Sequence, residues 1–174
     1  MQIEKGFIHV YTGTGKGKTT AALGLGLRAV GAGLKVHMIQ FMKGRRYSEI
    51  DAVKNLPNFT ISQYGRDVFV NKEKPEKIDI DLAKKALAYA KEVIKSGKYD
   101  VVILDEINVA LDFKLISLDD VLNLIKDKPE KLEIVLTGRF AHPEIVKLSD
   151  VVTEMLEIKH PYQKGVICRK GIDF

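Results

Sequence analysis

The chain has 174 residues, 45% hydrophobic and 29% charged, close to the globular average, so neither a disordered tail nor a disulfide-stapled miniprotein fits. A formal charge of +5 suits a polyanionic ligand, but Lys and Arg are spread along the chain without an RNA-binding aromatic signature, so nucleic acid is not expected as a partner. One cysteine, Cys168, cannot close an internal disulfide, no apolar run nears the roughly 18 residues of a membrane span, and Met1 to Lys5 lacks a signal-peptide core, so a cytoplasmic setting is expected.

Phe7 to Tyr11 reads as a strand; glycines follow, then a helix carrying Ala21, Ala22, Leu23, Leu25, Leu27 and Val30, closed by Gly31 and Gly33. Lys35 to Phe41 is the next strand, and Arg66 to Pro75 is the longest expected loop. Leu82, Ala83, Ala86, Leu87, Ala90, Val93 and Ile94 recur at helical spacing, Gly97 stops that helix, and the apolar run Val101 to Leu104 follows. Ser117 with Asp120 forms a capping signal before a helix through Leu122 and Ile125, with Pro129 beyond its end. Glu133 to Thr137 and Val151 to Met155 complete the strands. Apolar strands separated by helices imply an α/β fold, a mainly parallel central sheet with helices on both faces, built as one domain over residues 1–174.

The chemistry begins at Gly13-Thr14-Gly15-Lys16-Gly17-Lys18-Thr19-Thr20, between the first strand and the first helix. A phosphate chain needs converging backbone N–H groups and the positive end of a helix, which Gly13, Gly15, Gly17 and the helix from Lys18 supply. Lys18 adds an ammonium for the outer phosphates, and Thr19 a hydroxyl for Mg²⁺. The usual phosphate-loop spacing places its first glycine at position 12; the chain has Thr12 there, so the loop starts one residue tighter. The apolar strand Val101 to Leu104 then ends in Asp105 and Glu106, the place where P-loop proteins hold a metal or its water. A helix cap or a salt bridge would use the same acids, and the sequence does not choose between Asp105 and Glu106 for the ion.

Together with this loop, Arg28-Ala29-Val30-Gly31, Gln40-Phe41-Met42-Lys43-Gly44, Leu104-Asp105-Glu106-Ile107-Asn108, Leu136-Thr137-Gly138-Arg139, Val152-Thr153-Glu154-Met155, Ile158 to Tyr162 and Lys170-Gly171-Ile172 follow in order. The chain thereby resembles the P-loop ATP:corrinoid adenosyltransferases from about Gly6 to its last residue. The resemblance implies a P-loop NTPase-like fold and transfer of the 5′-deoxyadenosyl group of ATP to the reduced cobalt of a corrinoid, cobalamin or a precursor, with triphosphate leaving. It implies Mg²⁺, an electron donor such as a reduced flavoprotein, and compatibility with a homodimer. Lys18 and Arg139 would act on the reacting nucleotide, Arg28 would also contact it, and Lys43 belongs to the binding segment. It further implies a nucleotide lying reversed relative to other P-loop enzymes, which gives the unusual loop spacing a reason.

The sequence departs from the family at the corrinoid end. Only five residues precede Gly6, where relatives often carry an extension that covers the corrinoid. Ungapped, the family's ligand-displacing aromatics fall on Val68 and Val70; a one-residue slip gives that role to Phe69, whose alternative is an ordinary core phenylalanine. Phe140 stands where relatives often have a small polar residue. His9 and His37 read as packed strand histidines, His160 as a loop residue and Cys168 as a near-terminal residue of no special role. Two other functions share the loop: a small-molecule kinase, which needs a base beside an acceptor hydroxyl, and a recombinase-like ATPase stimulated by DNA.

Overall fold

The structure, a computed structural model, describes residues 3–173. Six strands form one sheet: β1 (Ile8–Thr12), β2 (Val36–Phe41), β3 (Phe59–Tyr64), β4 (Val101–Asp105), β5 (Glu133–Thr137) and β6 (Val151–Glu154). Their spatial order is β3-β2-β4-β5-β1-β6, and every pairing is parallel. Between them run α1 (Lys18–Gly31), α2 (Ser48–Val53), α3 (Lys77–Lys95), α4 (Ile107–Asp112), α5 (Leu118–Lys126) and α6 (Pro143–Leu148).

The two-residue period of the strands divides the core. Met38, Ile103 and Val135 face α1 and α2, packing with Ala22, Ala29 and Val53. Ile39, Leu104 and Leu136 point the other way, onto Ala86, Leu87 and Ala90 of α3, Ala110 of α4 and Leu124 of α5. Both faces are therefore covered, which is why the central strands read as unbroken apolar runs. No described helix is long and apolar enough to cross a membrane.

The expected strands and long helices are present, with small shifts at their ends. The sequence reading missed α2, α4 and α6, each six residues long, too short for an apolar period to repeat. It also missed β3, whose sequence Phe-Thr-Ile-Ser-Gln-Tyr buries only Phe59 because it lies on the sheet's edge. α3 starts at Lys77, five residues before its apolar stripe. There the Glu76 carboxylate accepts from the third-residue N–H, and the Asp79 carboxylate accepts in return from the Glu76 N–H.

Parallel strands bring all their carboxyl ends to one edge. That edge gathers the loop after β1, Lys43 after β2, the Arg66–Pro75 segment after β3, Glu106 after β4 and Arg139 after β5.

Candidate active site

A cleft of about 930 Å³ opens over this edge. Thr14, Gly15, Lys16, Gly17, Lys18, Thr19 and Thr20 line it, and so do Glu106 and Arg139. Gly13 stands at the start of the loop, just outside the cleft. Arg28 is not brought to the cleft: it is an exposed residue in the last turn of α1.

The loop's glycines have a second reason beyond phosphate approach. A Cβ on Gly13, whose φ is +96°, would lie 2.4 Å from the Met155 carbonyl, and one on Gly15 2.7 Å from the Leu156 backbone. The segment leaving β6 presses on the loop, and the Gly15 N–H donates to the Met155 carbonyl at 2.7 Å. Thr12 is the last residue of β1, and its carbonyl accepts from the Met155 N–H at 2.9 Å. The loop therefore leaves its strand one residue later than the usual spacing allows.

Asp105 is fully buried, and its four acceptor positions are all taken. Thr19 and Thr137 donate to Oδ1 at 2.8 and 2.7 Å, while Lys43 and Gln40 donate to Oδ2 at 2.7 and 3.2 Å. Register explains two of these contacts, because Gln40 pairs with Asp105 across β2–β4 and Leu136, just before Thr137, pairs with Leu104 across β4–β5. Burial pulls the Lys43 ammonium down, but the carboxylates of Asp105 and Glu106 outweigh it and hold its pKa above the usual lysine value.

Glu106 has the opposite character. It occupies the left-handed region (φ 62°, ψ 16°), its N–H donates to Thr137 Oγ1 at 2.9 Å, and its carboxylate meets no hydrogen-bond donor among the described residues. Burial, reinforced by the neighbouring Asp105 carboxylate, pushes its pKa up. An unpaired carboxylate at the end of a strand, beside the Thr19 hydroxyl, is a donor set suited to Mg²⁺. That ion takes one or two protein oxygens and completes its shell with phosphate and water. No group of three or more His, Cys, Asp or Glu that could hold a metal ion occurs among the described residues.

The cleft's cations divide in the same way. Lys16, Lys43, Arg45, Arg66 and Lys72 are each ion-paired with a carboxylate, whereas Lys18 and Arg139 have no such partner among the described residues. The Lys18 ammonium folds back onto the carbonyls of Gly13 and Gly15 at 2.8 and 2.6 Å, and burial lowers its pKa. Both are the charges the sequence singled out for the reacting nucleotide.

Part of the cleft's lining is apolar. Phe69 is 95% exposed, so it is not a core phenylalanine. It projects with Val68 from the loop after β3, whose Val70 packs against the core, and both line a cleft shared with Phe113 and Phe140. Two clamps hold that loop. Arg66 grips Asp79 through Nε and an Nη, both at 2.8 Å, and Lys72 binds Asp112 at 2.7 Å with its ammonium 5.7 Å from the ring centres of Phe113 and Phe140.

The sequence singled out Lys170-Gly171-Ile172 as a family-like segment but gave the carboxyl-terminal residues no contacts, and Cys168 no role. Lys16 Nζ donates to the Ile172 carbonyl at 2.9 Å and pairs with Asp173, and Cys168, Gly171 and Ile172 line the cleft. His160 also lines it, capping the turn Pro161–Lys164 through Nδ1. His9 pairs with Glu133 on the neighbouring strand, and His37 is buried between hydroxyls and tyrosines, so both are packed histidines as expected.

The sequence profile of the family described as ATP:corrinoid adenosyltransferase BtuR/CobO/CobP matches residues 4–174. The chain belongs to that family. It is 35% identical over 181 residues to the corrinoid adenosyltransferase of Sinorhizobium sp, covering 98% of this chain and 81% of that one. It is 34% identical to the corrinoid adenosyltransferase of Escherichia coli K12 over 175 residues, 99% of this chain and 88% of the relative. A corrinoid adenosyltransferase from Salmonella typhimurium is 33% identical, with the same coverage. As a corrinoid adenosyltransferase the chain is an enzyme of ATP-dependent adenosylation, acting on ATP and a corrinoid.

Proposed function

We propose that one cleft holds both substrates, the triphosphate of ATP against the Gly13–Thr20 loop and the corrinoid against the apolar wall carrying Val68, Phe69 and Val70. The observation that carries this reading is the mixed lining of the cleft. Lys18 and Arg139, which have no carboxylate partner among the described residues, share that lining with the exposed Phe69 and with Phe113 and Phe140.

The Co–C bond forms as the C5′–O bond of ATP breaks, and triphosphate leaves with its electron pair. No side-chain base is required, so the protein's task is to orient the nucleotide, stabilise the departing charge and exclude water. Lys18 and Arg139 supply preorganised positive charge, and the loop N–H groups with the start of α1 supply dipoles. The Thr19 hydroxyl donates to Asp105 and its oxygen accepts from the Lys43 ammonium at 3.3 Å, which leaves one further lone pair to face a cation, and Glu106 supplies a carboxylate. These two would hold Mg²⁺, which when bound neutralises charge on the leaving triphosphate. Asp105, saturated by its four donors, positions Thr19 and Lys43 instead. Residues 1–174 act as one unit in a reducing cytoplasm, fed with electrons by a donor such as a reduced flavoprotein, and a homodimer is compatible with the exposed β6 edge.

The test is the Mg²⁺ requirement of adenosyl transfer to chemically reduced cobalamin. Glu106→Gln should raise the half-saturating Mg²⁺ concentration about tenfold or more with the fold retained. An unchanged requirement would remove Glu106 from the metal.

A further inference from the structure

Glu106 presents a difficulty of aim. A carboxylate with hydrogen-bond donors of its own is oriented by them, but this one has none among the described residues. Its direction is therefore set by its backbone, which sits in a left-handed conformation disfavoured for a residue with a Cβ. Two hydrogen bonds fix that turn. The Glu106 carbonyl accepts from the Ala110 N–H at 3.0 Å, an ordinary bond of the first turn of α4. The Glu106 N–H donates to Thr137 Oγ1 at 2.9 Å, a contact no helix supplies.

Thr137 is placed for this by topology. It ends β5, the strand between β4, which carries the acids, and β1, which carries the phosphate loop. It is fully buried, and its hydroxyl hydrogen goes to Asp105 Oδ1 at 2.7 Å, the same oxygen that receives the Thr19 hydroxyl at 2.8 Å. One side chain thus ties the backbone that aims Glu106 to the carboxylate that holds Thr19.

We infer that Thr137 is a positioning residue, which sets the separation and direction of the Glu106 carboxylate and the Thr19 hydroxyl and so sets the affinity of the nucleotide site for its divalent cation. The inference rests on the proposed metal-binding role of Glu106 and adds the group that makes that role geometrically possible. Thr137 touches neither substrate nor ion; it acts through its two neighbours.

The experiment is equilibrium binding of a fluorescent N-methylanthraniloyl ATP to the full chain as MgCl₂ is titrated, with melting temperatures measured in parallel. Thr137→Val, which keeps the shape and removes the hydroxyl, should raise the half-saturating Mg²⁺ concentration about tenfold, the usual scale for a group that orients a metal ligand. Thr137→Ser, which keeps the hydroxyl, should stay within about twofold of wild type. In a Glu106→Gln background, Thr137→Val should add clearly less than its own tenfold, because one of the two groups it aims is already disabled. Thr137→Ala carries the same comparison should the valine variant not fold. A lowered melting temperature with an unchanged Mg²⁺ requirement, or effects of Thr137→Val and Glu106→Gln that multiply, would overturn the inference and leave the Glu106 assignment standing. Wild-type binding indifferent to Mg²⁺ would overturn both.

Discussion

Replacing Asp105 by alanine separates two roles that a strand-end acid in a P-loop protein can have. In the structure this carboxylate is an acceptor for Lys43, Thr19, Thr137 and Gln40 and is fully buried, with the Lys43 side chain only 14% exposed. Asp105→Ala leaves the Lys43 ammonium without its hydrogen-bonded counter-charge, with the Glu106 and Glu49 carboxylates still acting on it, and two hydroxyls without their acceptor. Breaking a buried pair by removing one partner costs roughly 3–5 kcal/mol, so a loss of about 4 kcal/mol is expected. For a domain of this size that corresponds to a melting temperature lower by roughly 8–16 °C. The assay is urea and thermal unfolding of the nucleotide-free protein in EDTA, where a metal contributes nothing. The sign is decisive. If Asp105 were chiefly a metal ligand, removing one of two adjacent carboxylates would relieve repulsion with Glu106, and the metal-free protein would become no less stable. A variant as stable as wild type in EDTA would refute the hub assignment. Adding Lys43→Met to Asp105→Ala should restore most of the ionic part of the loss, because no charge is then left buried alone.

Three further outcomes follow from the same geometry. Lys18→Ala should cost about 3 kcal/mol of transition-state stabilisation, roughly a hundredfold in rate, while the melting temperature changes little, since Lys18 bonds only to loop carbonyls; wild-type turnover would contradict its role. His37 is buried, its Nδ1 bonded to Thr60 Oγ1 at 2.6 Å and its ring 5.0 Å from that of Tyr99, and burial holds its pKa down to about 4. The unfolded chain binds this proton more tightly, so stability should fall by about 3 kcal/mol as pH drops from 6.5 to 4, and His37→Gln should flatten that part of the profile; an identical pH slope in the variant would rule this out. Phe69→Ala should leave stability within about 0.5 kcal/mol of wild type, and should impair turnover from cob(II)alamin with a mild reductant far more than transfer to pre-reduced cob(I)alamin. Equal loss in both assays would free Phe69 from the corrinoid.

The parallel sheet and its helices were legible because both signals are collective. Val101 to Leu104 reads as an apolar run since both faces of β4 are covered, and α3 repeats its apolar stripe over enough turns to be seen. The short helix α4 was not legible, although it starts immediately after the acids, because six residues show no period and its start depends on a left-handed Glu106 that no residue type announces. At the site, the Gly13–Thr20 loop, Asp105 and Glu106 were singled out by spacing, and the structure brings them to one edge of the sheet. The different surroundings of the two acids were not legible, because they arise from which neighbours reach Asp105 across β2 and β5, and strand order is not written in local sequence. Thr137 and Gln40 lay within quoted segments, but their roles follow only from register. The contacts of Ile172 and Asp173 with Lys16 join positions more than 150 residues apart, and nothing local could have shown them.

The most direct measurement of the central claim is a product analysis under anaerobic conditions. The protein is incubated with Mg·ATP and chemically reduced cobalamin, the corrinoid spectrum is followed, and the phosphate products are resolved. The account predicts adenosylcobalamin and intact triphosphate in equal amounts, with both lost together in Lys18→Ala and Arg139→Ala. ADP and orthophosphate formed without any change in the corrinoid spectrum, or formed faster on addition of DNA, would contradict it.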